Sequence, residues 1–75
     1  MENYVIMITI KPKILFGKPC ITGTRIAVED ILAWLASGMS YKEITDEYPV
    51  LNRQQILAAL NFAVRREQFV RILVA

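Results

Sequence analysis

The apolar positions of this chain change their spacing as the sequence proceeds, and each spacing points to a different element. From Tyr4 to Ile10 the run Tyr-Val-Ile-Met-Ile-Thr-Ile is dense in β-branched residues and too short for a typical helix before Pro12, so it reads as a strand. Both of its faces are largely apolar. A lone strand covers neither face nor edge, so its partner is expected to be the C-terminal tail or another chain. Between Lys11 and Thr24 the breakers Pro12, Gly17, Pro19 and Gly23 exclude a regular helix and predict a turn-rich arm. Thr22-Gly23 is placed to turn a short hairpin between Pro19 to Ile21 and Thr24 to Ile26.

A helical period then takes over. Val28, Ile31, Leu32 and Leu35 share one face, Glu29 and Asp30 lie in the first turn where the helix dipole favours acids, and Gly38 supplies a C-terminal stop. Ser40 followed by Glu43 has the spacing of a capping box, so a second helix starts at Tyr41. It turns Tyr41, Ile44 and Tyr48 inward and ends at Pro49. Asn52 and Gln55 repeat the capping signal ahead of a longer third helix, Arg53 to about Glu67, that contains no Gly or Pro. The tail from Gln68 to Ala75 is apolar apart from Arg71, and periodicity leaves it as either an extension of the third helix or a strand. The expected architecture is mainly α. A single helix-turn-helix domain fills residues 1–75, with an N-terminal strand in 1–11, the arm in 12–27, a three-helix core in 28–67 and the tail in 68–75.

Length and composition add two constraints. A chain of 75 residues has room for one modest core and is only marginally stable alone, which makes self-association an early expectation. With 55% hydrophobic and 21% charged residues it is too apolar for a disordered tail and too interrupted by charge for a membrane protein. No run approaches the roughly 18 apolar residues of a membrane span, and Met1-Glu2-Asn3 lacks the basic start of a signal peptide, so a cytoplasmic location is expected. Cys20 is the one cysteine and there is no histidine. It can form no internal disulfide and has no histidine to join it in a metal site or thiol catalyst, and reads as a small buried hydrophobe.

Net charge is +2, which neither requires nor excludes a nucleic-acid partner. Its layout is more informative. Lys11, Lys13, Lys18 and Arg25 carry positive charge with no acid among them; Glu29, Asp30, Glu43, Asp46 and Glu47 against Lys42 give the centre a net −4; and Arg53, Arg65, Arg66 and Arg71 against Glu67 return +3. Any electropositive surface therefore belongs to the first and last thirds.

At about 100° per residue, Gln54, Ala58, Asn61 and Arg65 of the third helix fall on one narrow stripe. Together with Asn52 and Arg53 they supply the side-chain types that contact phosphates and base edges. An ordinary solvated face is the competing explanation. The opposite arc, formed by Ile56, Leu57, Ala59, Leu60, Phe62, Ala63 and Val64, is wider than the stripe of about 100° that a surface helix needs, so it predicts a second protein surface. Trp34 lies at the edge of the first helix's apolar face, either as a core-rim residue or as an interface anchor. The expected partner surface comprises Tyr4, Ile6, Ile8, Trp34, Phe62 and Phe69. Catalysis finds no support: the adjacent acid pairs Glu29-Asp30 and Asp46-Glu47 point apart on helices, and Gly17-Lys18-Pro19 lacks the preceding glycine and following Ser or Thr of a phosphate loop. No metal or cofactor is expected.

The segment Gly17-Lys18-Pro19-Cys20-Ile21-Thr22-Gly23-Thr24-Arg25-Ile26-Ala27-Val28 resembles the opening signature of the family known as domain of unknown function 433. The likeness continues through Gly38, the Ser40 to Glu43 helix start, Ile44, Tyr48-Pro49, Leu51 and Ala59-Leu60, and spans about Pro12 to Glu67. Ala27 stands where many members carry proline, and Phe16 where a second glycine is common. The resemblance implies a homeodomain-like or winged helix-turn-helix fold and an antitoxin role in a toxin-antitoxin pair, with dimerisation, operator DNA and a PIN-like ribonuclease toxin as the implied partners. Within the signature, Arg25 has two available roles: pairing with Asp30, Asp46 or Glu47 to lock the arm, which the acidic middle favours, or contacting phosphate. The alternative to a DNA-binding regulator is a protein-interaction module with no DNA role, favoured by the modest charge and acidic centre.

Overall fold

The computed structural model describes the backbone of residues 7–74 and the side chains of residues 7–68. Its elements run β1 (Ile8–Thr9), a 3-10 turn (Leu15–Gly17), β2 (Cys20–Ile21), α1 (Val28–Ala36), α2 (Tyr41–Glu47) and α3 (Arg53–Val74). The chain is thus mainly helical, a three-helix core preceded by one two-stranded antiparallel sheet.

The helix boundaries follow local chemistry. At the start of α2 the Ser40 hydroxyl accepts the Glu43 N–H at 3.1 Å while the Glu43 carboxylate accepts the Ser40 N–H at 2.9 Å. Asn52 and Gln55 repeat the exchange at the start of α3, at 2.9 and 2.7 Å. Each pair satisfies two helix-end donors that would otherwise rely on water. α1 has no side-chain cap, because Ala27 precedes it; instead the Asp30 carboxylate reaches back to the Ala27 N–H at 3.1 Å. α1 ends in a Schellman motif. Gly38, at φ +102°, lets its N–H reach the Leu35 carbonyl at 3.0 Å and the Met39 N–H reach the Trp34 carbonyl at 3.1 Å. α3 runs through the tail to Val74. No breaker follows Asn52, and each residue added to an existing helix gains a bond at little nucleation cost, which decides the question that periodicity left open.

β1 finds its partner inside the arm. Ile8 pairs with Ile21 and Thr9 with Cys20, so neither the tail nor a second chain is needed to complete that strand. The hairpin expected at Thr22-Gly23 creates this edge. Gly23 turns at φ +82°, the Ile21 N–H donates to the Ile26 carbonyl at 2.9 Å, and the Val28 N–H donates to the Pro19 carbonyl at 2.9 Å. One side of Cys20–Ile21 is thereby occupied, and β1 takes the other. Of the Tyr4 to Ile10 run expected as strand, the described Met7 and Ile10 fall outside β1, and Tyr4 to Ile6 lie outside the described residues.

The core sits where the three helices meet the sheet. Ile31 of α1, Ile44 of α2, Ile56 of α3 and Ile21 of β2 are fully buried, with Val28, Leu51 and Ala59 packed around them. Burying one such isoleucine contributes about 1.5 to 3 kcal/mol. Trp34 stacks on Tyr48 with ring centroids 4.1 Å apart and planes 11° from parallel. It is a core-rim residue joining α1 to the end of α2.

Candidate functional site

The helix-turn-helix face is built from α2, the connection through Leu51, and the first turns of α3. Leu51 is buried and its N–H donates to the Tyr48 carbonyl at 2.9 Å, so the connection is pinned by one apolar side chain and one backbone bond. Asn52 is exposed, but its amide oxygen is committed to the helix cap. Arg53 is exposed and lies over the Tyr41 ring at 5.3 Å, a cation–π contact that ties the first residue of α3 to the first residue of α2. Gln54 and Asn61 are half-buried and Arg65 is exposed.

Ala58 narrows the expected polar stripe. It is fully buried and lies at the stripe's edge, about 20° beyond Arg65 on the wheel. β1 packs against α3 alongside α1 and α2, and less of the helix is left open than packing by helices alone would leave. The outward arc is therefore shifted toward Arg53, Leu57, Asn61, Val64 and Arg65. Leu57 is half-buried and Val64 is 55% exposed. Both belong to the wide apolar arc expected to meet protein, and in the single chain they stand open among the polar residues. Ile56 and Ala59 do belong to the core.

The charges around this face are mixed. Lys42 and Asp46 pair along α2 at 2.9 Å, and hydrogen bonding to Asp46 raises the Lys42 pKa. The Ser40 N–H holds the Glu43 carboxyl below its ordinary value. Glu43, Asp46 and Glu47 are exposed, so α2 is an acidic neighbour for a helix proposed to approach phosphate.

The Gly-Lys-Pro and Gly-Thr-Arg signature acts as a clasp. Gly17 and Gly23 adopt positive φ, the Pro19 carbonyl accepts the Val28 N–H, and the Thr24 hydroxyl donates to the Ile21 carbonyl at 2.9 Å while accepting the Ile26 N–H at 3.0 Å. Lys18 makes the ion pair that fixes arm to helix, meeting Glu29 at 2.6 Å, and that hydrogen bond raises the lysine's pKa. The lock expected of Arg25 is absent. Arg25 is exposed and has no ion pair among the described residues; Asp30 is turned to the Ala27 N–H and Asp46 to Lys42.

Of the expected partner surface, Ile8, Trp34 and Phe62 are half-buried and packed on the core. Tyr4 and Ile6, and the side chain of Phe69, fall outside the described residues. Sequence reasoning missed a different feature. A cleft of about 560 Å³ lies between the arm, α1 and α3, with Pro19, Val28, Leu32, Phe62 and Ala63 on its walls. Phe16 stands at its edge, 100% exposed. A large aromatic among turn formers was the available signal. Cys20 is 1% exposed and donates weakly to the Thr9 carbonyl at 3.5 Å, as a small buried hydrophobe should. Among the described residues no group of three or more His, Cys, Asp or Glu side chains is placed to hold a metal, and no helix is long and apolar enough to cross a membrane.

Residues 8–63 match the model of a family described as a protein of unknown function, DUF433. The chain belongs to the DUF433 family. A crystal structure of a DUF433 member protein from Anabaena variabilis has the same fold, with a TM-score of 0.78 at 30% identity over 93% of this chain and 70% of that one. The uncharacterized protein y4eO of Sinorhizobium fredii is 35% identical over 57 residues, covering 76% of this chain. This chain spans only about a quarter of that relative's length, 26%. The DUF433 match begins at β1 and ends beside Ala63, so it contains the clasp and the start of α3 and leaves the last turns of α3 outside.

Proposed function

We propose that the chain is a non-enzymatic, antitoxin-like regulator: a cytoplasmic homodimer that reads operator DNA with α3 and binds a PIN-like ribonuclease toxin through apolar surface. The observation that carries this reading is the outward arc of α3. Arg53 and Arg65 are exposed on it with Gln54 and Asn61 half-exposed between them, behind a capped helix start and a pinned connection. That arrangement suits a recognition helix, with arginines for phosphate or guanine and amides for adenine edges. DUF433 membership supports it only through the resemblance described above.

A titration tests it. Affinity for DNA from the gene's own upstream region falls steeply with added salt, and Arg53→Ala or Arg65→Ala each weakens binding and lowers the salt slope by about one. Absent or salt-insensitive binding by the dimer overturns the DNA half of the proposal.

A second reading has its own observation. Glu43, Asp46 and Glu47 are exposed on α2, and Lys42, its lone cation, is already paired; this acidic flank opposes phosphate approach. Under this reading the domain binds a protein partner without touching DNA. Co-purification with a neighbouring ribonuclease-like protein, and no DNA shift by either form, decides for it.

A further inference from the structure

Arg53 opens α3 with its guanidinium over the Tyr41 ring at 5.3 Å, and Tyr41 is itself half-buried and packed on the core. The ring is therefore a fixed support for the arginine. Cation–π attraction engages the charge and does not consume the N–H donors. The Arg53 side chain makes no ion pair or hydrogen bond among the described residues, so its donors stay available while its position is restrained.

The surroundings discriminate between the two groups an arginine meets on DNA, phosphate and base edge. α2 is only about 10 Å long, so the exposed carboxylates of Glu43, Asp46 and Glu47 lie within about a Debye length of Tyr41. Lys42, the one cation of α2, is already paired with Asp46. A phosphate at Arg53 would carry a full negative charge into that field. The O6 and N7 atoms of guanine are neutral acceptors, side by side in the major groove, and match the paired donors of a guanidinium. Position agrees with electrostatics. The first turn of a recognition helix is the part that reaches base edges. Leu57, one turn further along the same outward arc and half-buried, offers nothing to a phosphate and suits a base edge such as a thymine methyl.

We propose that Arg53 is a base-reading residue aimed at the O6 and N7 edge of one guanine in the major groove, with Tyr41 as the residue that positions it. The proposal rests on the DNA-reading role of α3 given above and names the atoms that are read. A restrained side chain loses less freedom on binding than a free one, so the Tyr41 ring contributes to discrimination without touching DNA.

Fluorescence anisotropy of the full chain on duplex DNA from the gene's own upstream region tests this. Each guanine of the segment that the protein protects from cleavage is replaced in turn by 7-deazaguanine, which pairs normally and lacks the N7 acceptor. At one guanine, or at it and its two-fold mate, the replacement weakens wild-type binding at least about fivefold. The same replacement is neutral for Arg53→Ala, because the two losses are one contact. Arg53→Lys keeps the charge, and with it the salt slope, and loses most of the preference for that guanine. Tyr41→Phe retains the preference and Tyr41→Leu reduces it, both with the salt slope unchanged. In the free protein the ring current of Tyr41 shifts the Arg53 Cδ protons upfield in the NMR spectrum, a readout that does not depend on whether Tyr41→Leu folds. If Arg53→Ala weakens every duplex alike and no 7-deazaguanine position is coupled to it, the assignment to guanine falls while DNA reading stands. Unshifted Cδ protons overturn the role of Tyr41, and no binding to any duplex overturns the assignment and the DNA reading together.

Discussion

The helical core and the arm reach order by opposite means. In the core, polar helix ends are satisfied by side chains three residues away, and apolar side chains meet at one point where Ile31, Ile44 and Ile56 are all fully buried. The arm buries Cys20, Ile21 and Ala27 and leaves most of its other side chains outside. It is held by turn bonds from Lys11 to Lys18 and by the clasp around Thr24, and it exposes Phe16. The contrast separates what stabilises the domain from what it can offer a partner: the core gains from burial, and the arm presents surface on a frame set by backbone conformation.

Removing the side chain of Ile44 should mark the difference most strongly. Ile44→Ala is expected to cost about 2 to 5 kcal/mol, enough to unfold much of a small domain, whereas Phe16→Ala should change protomer stability by less than about 0.5 kcal/mol. Urea melts at a concentration too low for association measure both, and equal losses would show that Phe16 is packed in solution. Next comes the arm's own dependency. Gly17→Ala places a Cβ at φ +83° and should cost about 1 to 2 kcal/mol, in a turn where truncation of the exposed Phe16 side chain costs almost nothing. A neutral result would mean that the turn relaxes freely. The caps follow: Ser40→Ala and Asn52→Ala should each cost about 1 kcal/mol, and additivity of the pair would show that the two helix starts are independent.

The smallest effect is a pH dependence at Glu43. Its folded carboxyl lies below the ordinary value because the Ser40 N–H donates to it. Its contribution is therefore complete above the unfolded value of about 4.3 and is lost as pH falls through the lowered folded value. Glu43→Gln should flatten the acid limb of stability and leave the arm's behaviour unchanged. Urea midpoints from about pH 3 to pH 7 would reveal an undiminished acid limb if other carboxylates control it.

The same division explains what could be read from the sequence. Ser40–Glu43, Asn52–Gln55 and Gly38 are local signals whose partners lie within a few residues, and the structure uses each as its spacing implies. The partner of β1 was not legible, because pairing depends on which edge the hairpin leaves open, a property of the folded arm. Nor was the burial of Ala58, at the edge of the polar stripe, visible. A helical wheel gives directions and not neighbours, and the presence of β1 beside α3 alters which directions are open. Arg25 shows the limit of charge counting: several acids were available to it, yet Asp30 is turned to the Ala27 backbone and Asp46 to Lys42. Phe16 and its cleft join residues from the arm, α1 and α3, and no single stretch of chain carries their geometry.

Cys20 lies between the paired strand and the hairpin, and its thiol is closed off from solvent on both sides. Since the chain has no second cysteine, this thiol is a natural clock for the arm. A thiol reagent can reach it only when β1 lifts away or the whole domain unfolds. If labelling and global unfolding respond alike to urea, arm and core form one cooperative unit. If labelling persists at a rate that mild urea does not alter, the arm opens by itself on a native core, and the turn carrying Phe16 is free to be remodelled without melting the helices.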